Sequence, residues 1–486
     1  MEGIFDLNNF NSEEATILEL QAALDSGEVT SRELVMYYVY RIAMLDQSGP
    51  MINSILEINP DAIFIAEALD QERKLTSARG PLHGVPVLLK GNIETKDKMH
   101  TSAGALALEH HVSSSDAFLV QQLRNSGAII LGKTNMTEWA NGMSSSMWAG
   151  YSSIGGLTKN PYGDHFPGGS STGSAASVAA NFTTVAVGTE TSASILSPAV
   201  QNAIVGIKPT VGLISRSGII PWSYSQDTAG PMARTVTDAA ILLSALVGRD
   251  ESDPATWKNE HSNFDYAASL DKDGLRNATI GVFRSAPQEK YRDFGEYDDK
   301  LFNGAVAILK ESGAKVIDNI EIPSFNREWG YNKISHEFAY SVEHYLQSLP
   351  AHLPVHNLKE LIKWNEQNAE KALKYGQDLL EYRSQPLKSQ KYTLESITDL
   401  YYSQNMGIDY TLKKYGLDAI LFPSYVGADL SAKAGYPSIA VPAGFQENGR
   451  AFGITFAGTA FSESTLIRIA FSFEQKTKHR KMPNLL

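Results

Sequence analysis

The chain has 486 residues, of which 43% are hydrophobic and 20% charged, so it carries enough apolar residues for a large folded core. Its net charge of −12 argues against nucleic acid or an anionic membrane as a partner, because the surfaces that bind them are usually basic. The absence of cysteine excludes disulfides, thiol nucleophiles and cysteine-ligated metals.

Targeting and membrane signals are missing from the sequence. Residues 1–6 have neither the basic nor the apolar region of a signal peptide, and no run approaches the roughly 18 apolar residues of a membrane-spanning helix. These features predict a soluble, cytoplasmic protein. The short basic run at 476–481 is predicted to be a solvent-exposed segment.

The first 80 residues are predicted to be helical, with capping residues at 11–14 and a capping box from Thr30 to Glu33. Strand-length apolar runs follow, alternating at first with helical patterns such as 116–125. The runs are 85–89, 128–131, 183–187, 204–207, 278–283, 314–317 and 419–422, with a further helix at 299–312.

This alternation predicts an α/β fold with a large mixed β-sheet sandwiched between layers of α-helices. Residues from about 325 to 402 have a long, polar, helical pattern, which predicts a helical insertion packed on the core. Because no linker or internal repeat interrupts the chain, residues 1–486 are predicted to form a single domain.

The stretch 167–176 is rich in glycine and serine, which favours close approach of the backbone to another group. It is not a Walker loop, because no lysine follows Gly173. Residues 169–173 satisfy the G-x-S-x-G pattern of a nucleophile elbow with Ser171 at its centre, but a turn sequence precedes them instead of a strand. The elbow remains an alternative.

A different interpretation combines separated residues. A serine hydroxyl needs a base to become a nucleophile, and lysine, with a pKa of about 10.4 in water, serves only where burial lowers that pKa. Lys90 ends the apolar run 85–89, and a second serine-bearing segment lies at 189–195. The same residues are also consistent with a tight turn and an exposed lysine.

Several segments resemble the amidase signature family, and together they cover nearly the whole chain. The family's G-V-P-x-x-x-K-D, G-G-S-S-G-G-S and G-T-D-T-G-G-S-I-R-x-P motifs are similar to residues 84–91, 168–174 and 188–198. Residues 189–191 and 225–228 are most similar to the peptide-amidase branch. The likeness continues through 132–136, 206–210, 226–234, 435–444 and 470–475.

The resemblance implies roles for individual residues. Ser194 would be the nucleophile, Ser170 would relay its proton and Lys90 would accept it. The family's cis peptide bond would precede Ser170, and Ser171 would orient the lysine. The oxyanion hole would be formed by the backbone N–H groups of Thr191, Ser192, Ala193 and Ser194.

The implied activity is hydrolysis of a carboxamide through an acyl-enzyme. The substrate would be a small-molecule amide, with no cofactor and no metal, and the protein would be a monomer or homodimer. Two alternatives stay open: the amidase subunit of a tRNA-dependent amidotransferase, which needs partner subunits, and a binding protein that keeps the fold but is catalytically weak.

The chain departs from the family pattern at Thr172, at Ser192–Ala193 and at Leu196. Residues other than glycine at 192–193 would be strained if the backbone there has a positive φ, and their Cβ atoms would crowd the nucleophile. Leu196 replaces an arginine and offers no partner to an acidic substrate. These departures predict a preference for slender, uncharged amides.

Other titratable residues are less favoured as site residues. His336, Tyr340 and His344 share a helical face, but without an H-E-x-x-H motif they are predicted to be surface or hydrogen-bonded residues. His110 and His111 are predicted to face solvent. Lys133 and Lys208 lie in family motifs and are predicted to be structural.

Overall fold

The computed structural model describes residues 10–261, 263–284, 298–385 and 389–485. Residues 1–6, on which the predicted absence of a signal peptide depends, lie outside these ranges. Of the helices within them, none has both the length and the apolar character needed to cross a membrane.

A mixed eleven-stranded sheet forms the centre of the described structure. The strands are β1 (Ile55–Ile58), β2 (Pro86–Lys90), β3 (Ile129–Thr134), β6 (Val185–Glu190), β7 (Val205–Lys208), β8 (Thr228–Ala233), β9 (Thr279–Val282), β10 (Lys315–Asp318), β11 (Ala419–Pro423), β12 (Ser438–Phe445) and β13 (Ala451–Ala457). Their order is β1-β3-β2-β6-β8-β7-β12-β13-β11-β9-β10, and a separate hairpin joins β4 (Tyr151–Ser152) to β5 (Gly156–Leu157).

Every strand predicted from an apolar run lies in this sheet. The strands β1, β8, β12 and β13 were not predicted. Pro231 and Pro442 interrupt β8 and β12, and proline weakens the sequence pattern of a strand because it cannot donate a hydrogen bond to a neighbour. The missed strands complete the sheet without changing the predicted fold class.

Helices cover both faces of the sheet. They are α1 (Ile17–Ser26), α2 (Ser31–Arg41), α3 (Ala62–Leu75), α4 (Phe118–Asn125), α5 (Thr172–Ala179), α6 (Leu196–Gln201), α7 (Val236–Leu246), α8 (Asp299–Glu311), α9 (Asn332–Gln347), α10 (Leu358–Gln367), α11 (Ala369–Ala372), α12 (Asp378–Arg383), α13 (Ser389–Leu400), α14 (Asp409–Tyr415), α15 (Ala428–Ala434) and α16 (Glu463–Thr477). In β2, Val87 and Leu89 contribute to one apolar core and Leu88 to the other, as the two-residue repeat of a strand requires. Both faces of the central strands are therefore buried.

Two local predictions at the chain ends differ from the structure in part. The first helix is capped by Thr16, whose hydroxyl accepts the Glu19 N–H, and not by residues 11–14. In the basic run, Lys476, Lys478 and Lys481 are exposed as predicted, whereas Arg480 is half-buried and pairs with Glu14 at 2.6 Å. The capping box of Thr30 with Glu33 is confirmed.

The segment from 325 to 402 is helical in its described part, which includes α9, α10, α12 and α13; residues 386–388 are outside it. Apolar side chains of its helices, such as Phe338 and Leu361, form a third core with Leu108 and Trp139 from the earlier part of the chain. A single domain with this segment as an insertion remains the prediction.

Candidate active site

The sheet topology brings the predicted base and the nucleophile segment to one edge. Strands β2 and β6 are parallel neighbours, so Lys90 and Glu190, the last residues of each, lie at the same end. Strand β8 runs antiparallel to β6 and begins at Thr228, directly opposite Glu190. Asp227, just before β8, therefore reaches the same edge.

Lys90 is fully buried, with 0% of its surface exposed. Its Nζ lies within hydrogen-bond distance of four oxygens: the hydroxyls of Ser170 at 2.8 Å and Ser171 at 2.9 Å, and the Thr189 hydroxyl at 2.9 Å and carbonyl at 3.1 Å. Burial lowers the pKa of Lys90 to about 7, although the charges of Glu190 and Asp227 act to raise it. A lysine with this pKa is partly uncharged at neutral pH and can accept a proton.

The two adjacent serines have different hydrogen bonds. The Ser171 hydroxyl donates to the Thr189 carbonyl at 2.9 Å and accepts the Thr189 N–H at 3.1 Å, so its proton is committed. The Ser170 hydroxyl, among the described contacts, meets only Lys90. Ser170 is therefore the hydroxyl that can exchange a proton with the lysine.

The peptide bond before Ser170 is cis, as the family resemblance predicts. Ser171 is fully buried and precedes α5, and no strand leads into it. A nucleophile elbow needs an exposed serine after a strand, so the elbow interpretation of Ser171 does not fit this geometry.

Ser194 is 8% exposed and lies in the turn between β6 and α6, which we call the nucleophile turn (Thr191–Ser194). Its carbonyl accepts the Ser171 N–H at 3.1 Å, which joins the two serine-bearing turns. Its hydroxyl approaches the Ser192 carbonyl at 3.5 Å and, within the described contacts, forms no hydrogen bond with Ser170. Catalytic hydrogen bonds are often long before a substrate binds.

The departures from the family pattern have distinct outcomes. Ala193 has a φ of +62°, so the expected strain is present, at a cost of roughly 1–2 kcal/mol. The Thr172 hydroxyl donates to the Gly168 carbonyl at 2.6 Å. Leu196, the first residue of α6, is fully buried in an apolar core, and the preference for uncharged amides stays a prediction.

A buried carboxylate organises the nucleophile turn from within. Glu190 accepts the N–H groups of Ile195 at 2.7 Å and Leu196 at 3.0 Å and also interacts with that of Ala193; burial raises its pKa. Among the described hydrogen bonds, none is donated by the N–H groups of Thr191, Ser192 or Ser194. These three of the four predicted donors remain available to an oxyanion, whereas that of Ala193 faces Glu190.

A cavity of about 280 Å³ begins at Thr189–Thr191, beside the nucleophile turn. One wall is mainly apolar and is formed by Ile219, Ile220, Pro221, Trp222 and Tyr224. Sequence reasoning missed this cavity and Asp227, which lines it. The family-like motif at 225–228 was the available signal, but it gave no indication of where the segment lies in space.

The histidines lie outside this site. His336, Tyr340 and His344 line a separate groove on α9, and His336 packs against the Tyr392 ring at 4.6 Å. Within the described ranges, no group of histidine and acidic residues is arranged to hold a metal ion. His110 is exposed, but His111 is only 4% exposed and packs against Tyr345, so its predicted exposure is wrong.

Lys133 and Lys208 are buried and donate to backbone carbonyls, at 2.7 Å to Ile93 and 2.7 Å to Tyr436. Neither contacts Lys90 or a predicted site serine among the described hydrogen bonds. This arrangement fits the predicted structural role, and burial lowers the pKa of each to about 8.

Comparisons with known proteins find similar chains over nearly the whole length. The Amidase family model matches residues 33–467. A probable amidase from Arabidopsis thaliana is 41% identical over 99% of this chain and 93% of its own length. The crystal structure of peptide amidase from Stenotrophomonas maltophilia superposes with a TM-score of 0.91, at 41% identity and with 97% and 99% of the two chains covered. A glutamyl-tRNA(Gln) amidotransferase subunit from Lachnospira eligens is 30% identical over 95% of this chain and 98% of its own.

Proposed function

The chain belongs to the amidase signature family of amide hydrolases, and from that premise we propose that it cleaves a carboxamide through an acyl-enzyme formed on Ser194. The observation that supports this most directly is the environment of Lys90. A fully buried lysine with a pKa of about 7, hydrogen-bonded to a serine whose proton is free to move, is the base that a serine nucleophile needs.

In the proposed reaction, Ser194 Oγ attacks the amide carbon while its proton passes through Ser170 to the uncharged Lys90. The oxyanion accepts hydrogen bonds from the free N–H groups of the nucleophile turn, those of Thr191, Ser192 and Ser194. The C–N bond then breaks, and the leaving nitrogen takes the proton back from Lys90 through Ser170 as ammonia or an amine. Water repeats the sequence on the ester, which releases the acid and restores Ser194.

The cavity beside the nucleophile turn favours an apolar group next to the scissile bond. Its volume of about 280 Å³ is enough for one large side chain, and Trp222 and Tyr224 offer aromatic surface. Because a peptide amidase is among the similar structures, we propose the C-terminal carboxamide of a short peptide, or an amide of similar shape, as the substrate. We propose that the Ala193 Cβ disfavours amides whose carbon next to the scissile carbonyl carries more branching than the single side chain of a peptide residue.

Similarity to a glutamyl-tRNA(Gln) amidotransferase keeps one alternative open, in which this chain releases ammonia inside a larger assembly. We favour action as a lone monomer or homodimer. Hydrolysis of amides by the purified chain without partners would support this choice, and activity that appears only with partner proteins would favour the alternative.

The test of the mechanism is covalent labelling followed by an amide panel. Fluorophosphonate treatment and peptide mass spectrometry should place the adduct on Ser194, with Ser194→Ala as the unlabelled control. Kinetics on aliphatic, aromatic and peptide amides should then show the highest kcat/KM for an apolar residue beside the carboxamide. An adduct on Ser171, or unlabelled protein without activity on any amide, would contradict the proposal.

A further inference from the structure

Asp227 is half-buried at the edge of the cavity, and its carboxylate accepts hydrogen bonds from three groups of the protein. One oxygen accepts the Thr191 hydroxyl at 2.6 Å. The other accepts the N–H groups of Trp222 at 2.7 Å and Ser223 at 2.8 Å. A carboxylate with these three donors is suited to holding protein segments together more than to binding a substrate.

The segment around Asp227, residues 222–227, also forms hydrogen bonds with helix α9. Glu337 of α9 is fully buried and accepts the hydroxyl of Ser225 at 2.7 Å, its N–H at 3.2 Å, and the hydroxyl of Ser223. The Gln226 side chain donates to the Thr191 carbonyl at 3.2 Å. A continuous set of hydrogen bonds therefore leads from α9 through 222–227 to the first residue of the nucleophile turn.

We propose that Asp227 is a positioning residue for the nucleophile turn: by holding Thr191 and the Trp222 backbone on one carboxylate, it fixes the oxyanion donors and the cavity wall relative to each other. This inference rests on the proposed function of Ser194. It goes beyond it because Asp227 touches neither the nucleophile nor the base.

The turn needs such support because Ala193 is in the left-handed region, which is maintained only where surrounding contacts enforce it. Glu190 secures the end of the turn that leads into α6, and Asp227 secures its beginning. Displacement of catalytic groups by about 1 Å can reduce a rate by roughly 10²-fold. Loss of either anchor should therefore lower kcat more than it weakens substrate binding.

Asp227 also acts on the base through its charge. The charged groups that interact with Asp227 are Lys90 and Arg216. The Glu190 carboxylate also acts on Lys90, and the Glu337 carboxylate also acts on Arg216. The negative charge of Asp227 raises the pKa of Lys90, so its removal should lower that pKa. Burial raises the pKa of Asp227 itself to about 6, which leaves it ionised at neutral pH.

The test compares Thr191→Val, which removes the hydroxyl, with Thr191→Ser, which keeps it, and adds Asp227→Asn and the Thr191→Val/Asp227→Asn double variant. We expect Asp227→Asn to lower kcat by roughly 10²-fold with KM changed less than about threefold, and to move the acid limb of kcat/KM to lower pH. Thr191→Val should lower kcat, Thr191→Ser should restore it, and the double variant should be no worse than Asp227→Asn alone.

Asp46→Asn is the matched control, because Asp46 is buried and also accepts a hydroxyl and an N–H, both from Ser54 at 2.6 Å, on a different part of the chain. It should lower the unfolding temperature without moving the pH profile. If Ser194→Ala is as active as wild type, the proposed function fails. If Ser194→Ala is inactive while Asp227→Asn and Thr191→Val keep the wild-type kcat and acid limb, only the positioning role fails.

Discussion

The two turns that meet at the active site satisfy their backbone requirements differently. In the turn before Ser170, Gly168 has a φ of +69° and a Cβ there would lie 2.6 Å from the Pro198 Cα. The nucleophile turn also needs a positive φ, yet it has Ala193 at that position. Glycine is thus required in the first turn by lack of space, whereas the second demands only a backbone conformation, which alanine can adopt at a cost.

The region around Lys90 and the nucleophile turn also differ in their hydrogen bonds. The region around Lys90 and Ser171, which we call the base side, has many hydrogen bonds. Lys90 Nζ lies within hydrogen-bond distance of four oxygens, and the Ser171 hydroxyl both donates to and accepts from Thr189. The Ser194 hydroxyl has one long contact of 3.5 Å. Changes on the base side should therefore affect stability and activity together, and changes at the nucleophile should affect mainly activity.

The largest expected effect is that of Ser194→Ala. Turnover should fall by roughly 10⁴–10⁶-fold, because the nucleophile is lost, while the free energy of unfolding stays within about 1 kcal/mol of wild type. Steady-state kinetics and urea denaturation measure the two quantities. Ser171→Ala is the comparison on the base side, and it should lower both the turnover and the free energy of unfolding. A Ser194→Ala protein that is destabilised more than Ser171→Ala would contradict the difference between the turns.

Lys90→Ala should lower kcat by roughly 10²–10⁴-fold, since an unassisted serine is a poor nucleophile. In wild type, kcat/KM should fall as the pH drops below about 7, because protonated Lys90 cannot accept the Ser194 proton. The residual activity of Lys90→Ala should lack this acid limb. An unchanged limb in the variant would assign it to another group.

Gly168→Ala tests the steric requirement of the first turn. The new Cβ would meet the Pro198 backbone and the residue would be held at a positive φ, so the protein should be destabilised by roughly 2–5 kcal/mol. Thermal and urea unfolding give this value. A loss below about 1 kcal/mol would show that the first turn, like the second, tolerates a Cβ.

Ala193→Gly should have the smallest effect on stability. Relief of left-handed strain, roughly 1–2 kcal/mol, is offset by the conformational entropy that glycine adds to the unfolded chain, so the net change should stay within about 1 kcal/mol. For amides with a fully substituted carbon next to the scissile carbonyl, kcat/KM should rise by about tenfold relative to less branched ones. Equal effects on both amide classes would mean that the Ala193 Cβ does not limit the substrate.

Most of the strands could be predicted, and three residues could be proposed for the site, because each depends on local sequence. Apolar runs such as 85–89 mark buried strands wherever they occur, and the motifs around Lys90, Ser170 and Ser194 are contiguous. Strands with internal proline, such as β8, were missed because their signal is weak and their pairing depends on partners far along the chain.

Burial accounts for the wrong prediction at His111 and for the departure at Arg480. Both are covered by residues distant in sequence, Tyr345 for His111 and Glu14 for Arg480. A composition pattern describes a segment and its neighbours, but it does not show which segment will pack against it.

The sequence by itself determined the strand and helix alternation, the family and the identity of the candidate nucleophile, relay and base, because contiguous residues encode them. Only the tertiary structure decided that Lys90 is buried beside Ser170, that Ala193 has a left-handed backbone, and that Asp227 joins Thr191 to the cavity wall. The physical reason is that a pKa, a strained φ and a shared carboxylate depend on atoms brought together from separate strands, and the sheet order that unites them is set by the packing of the whole chain.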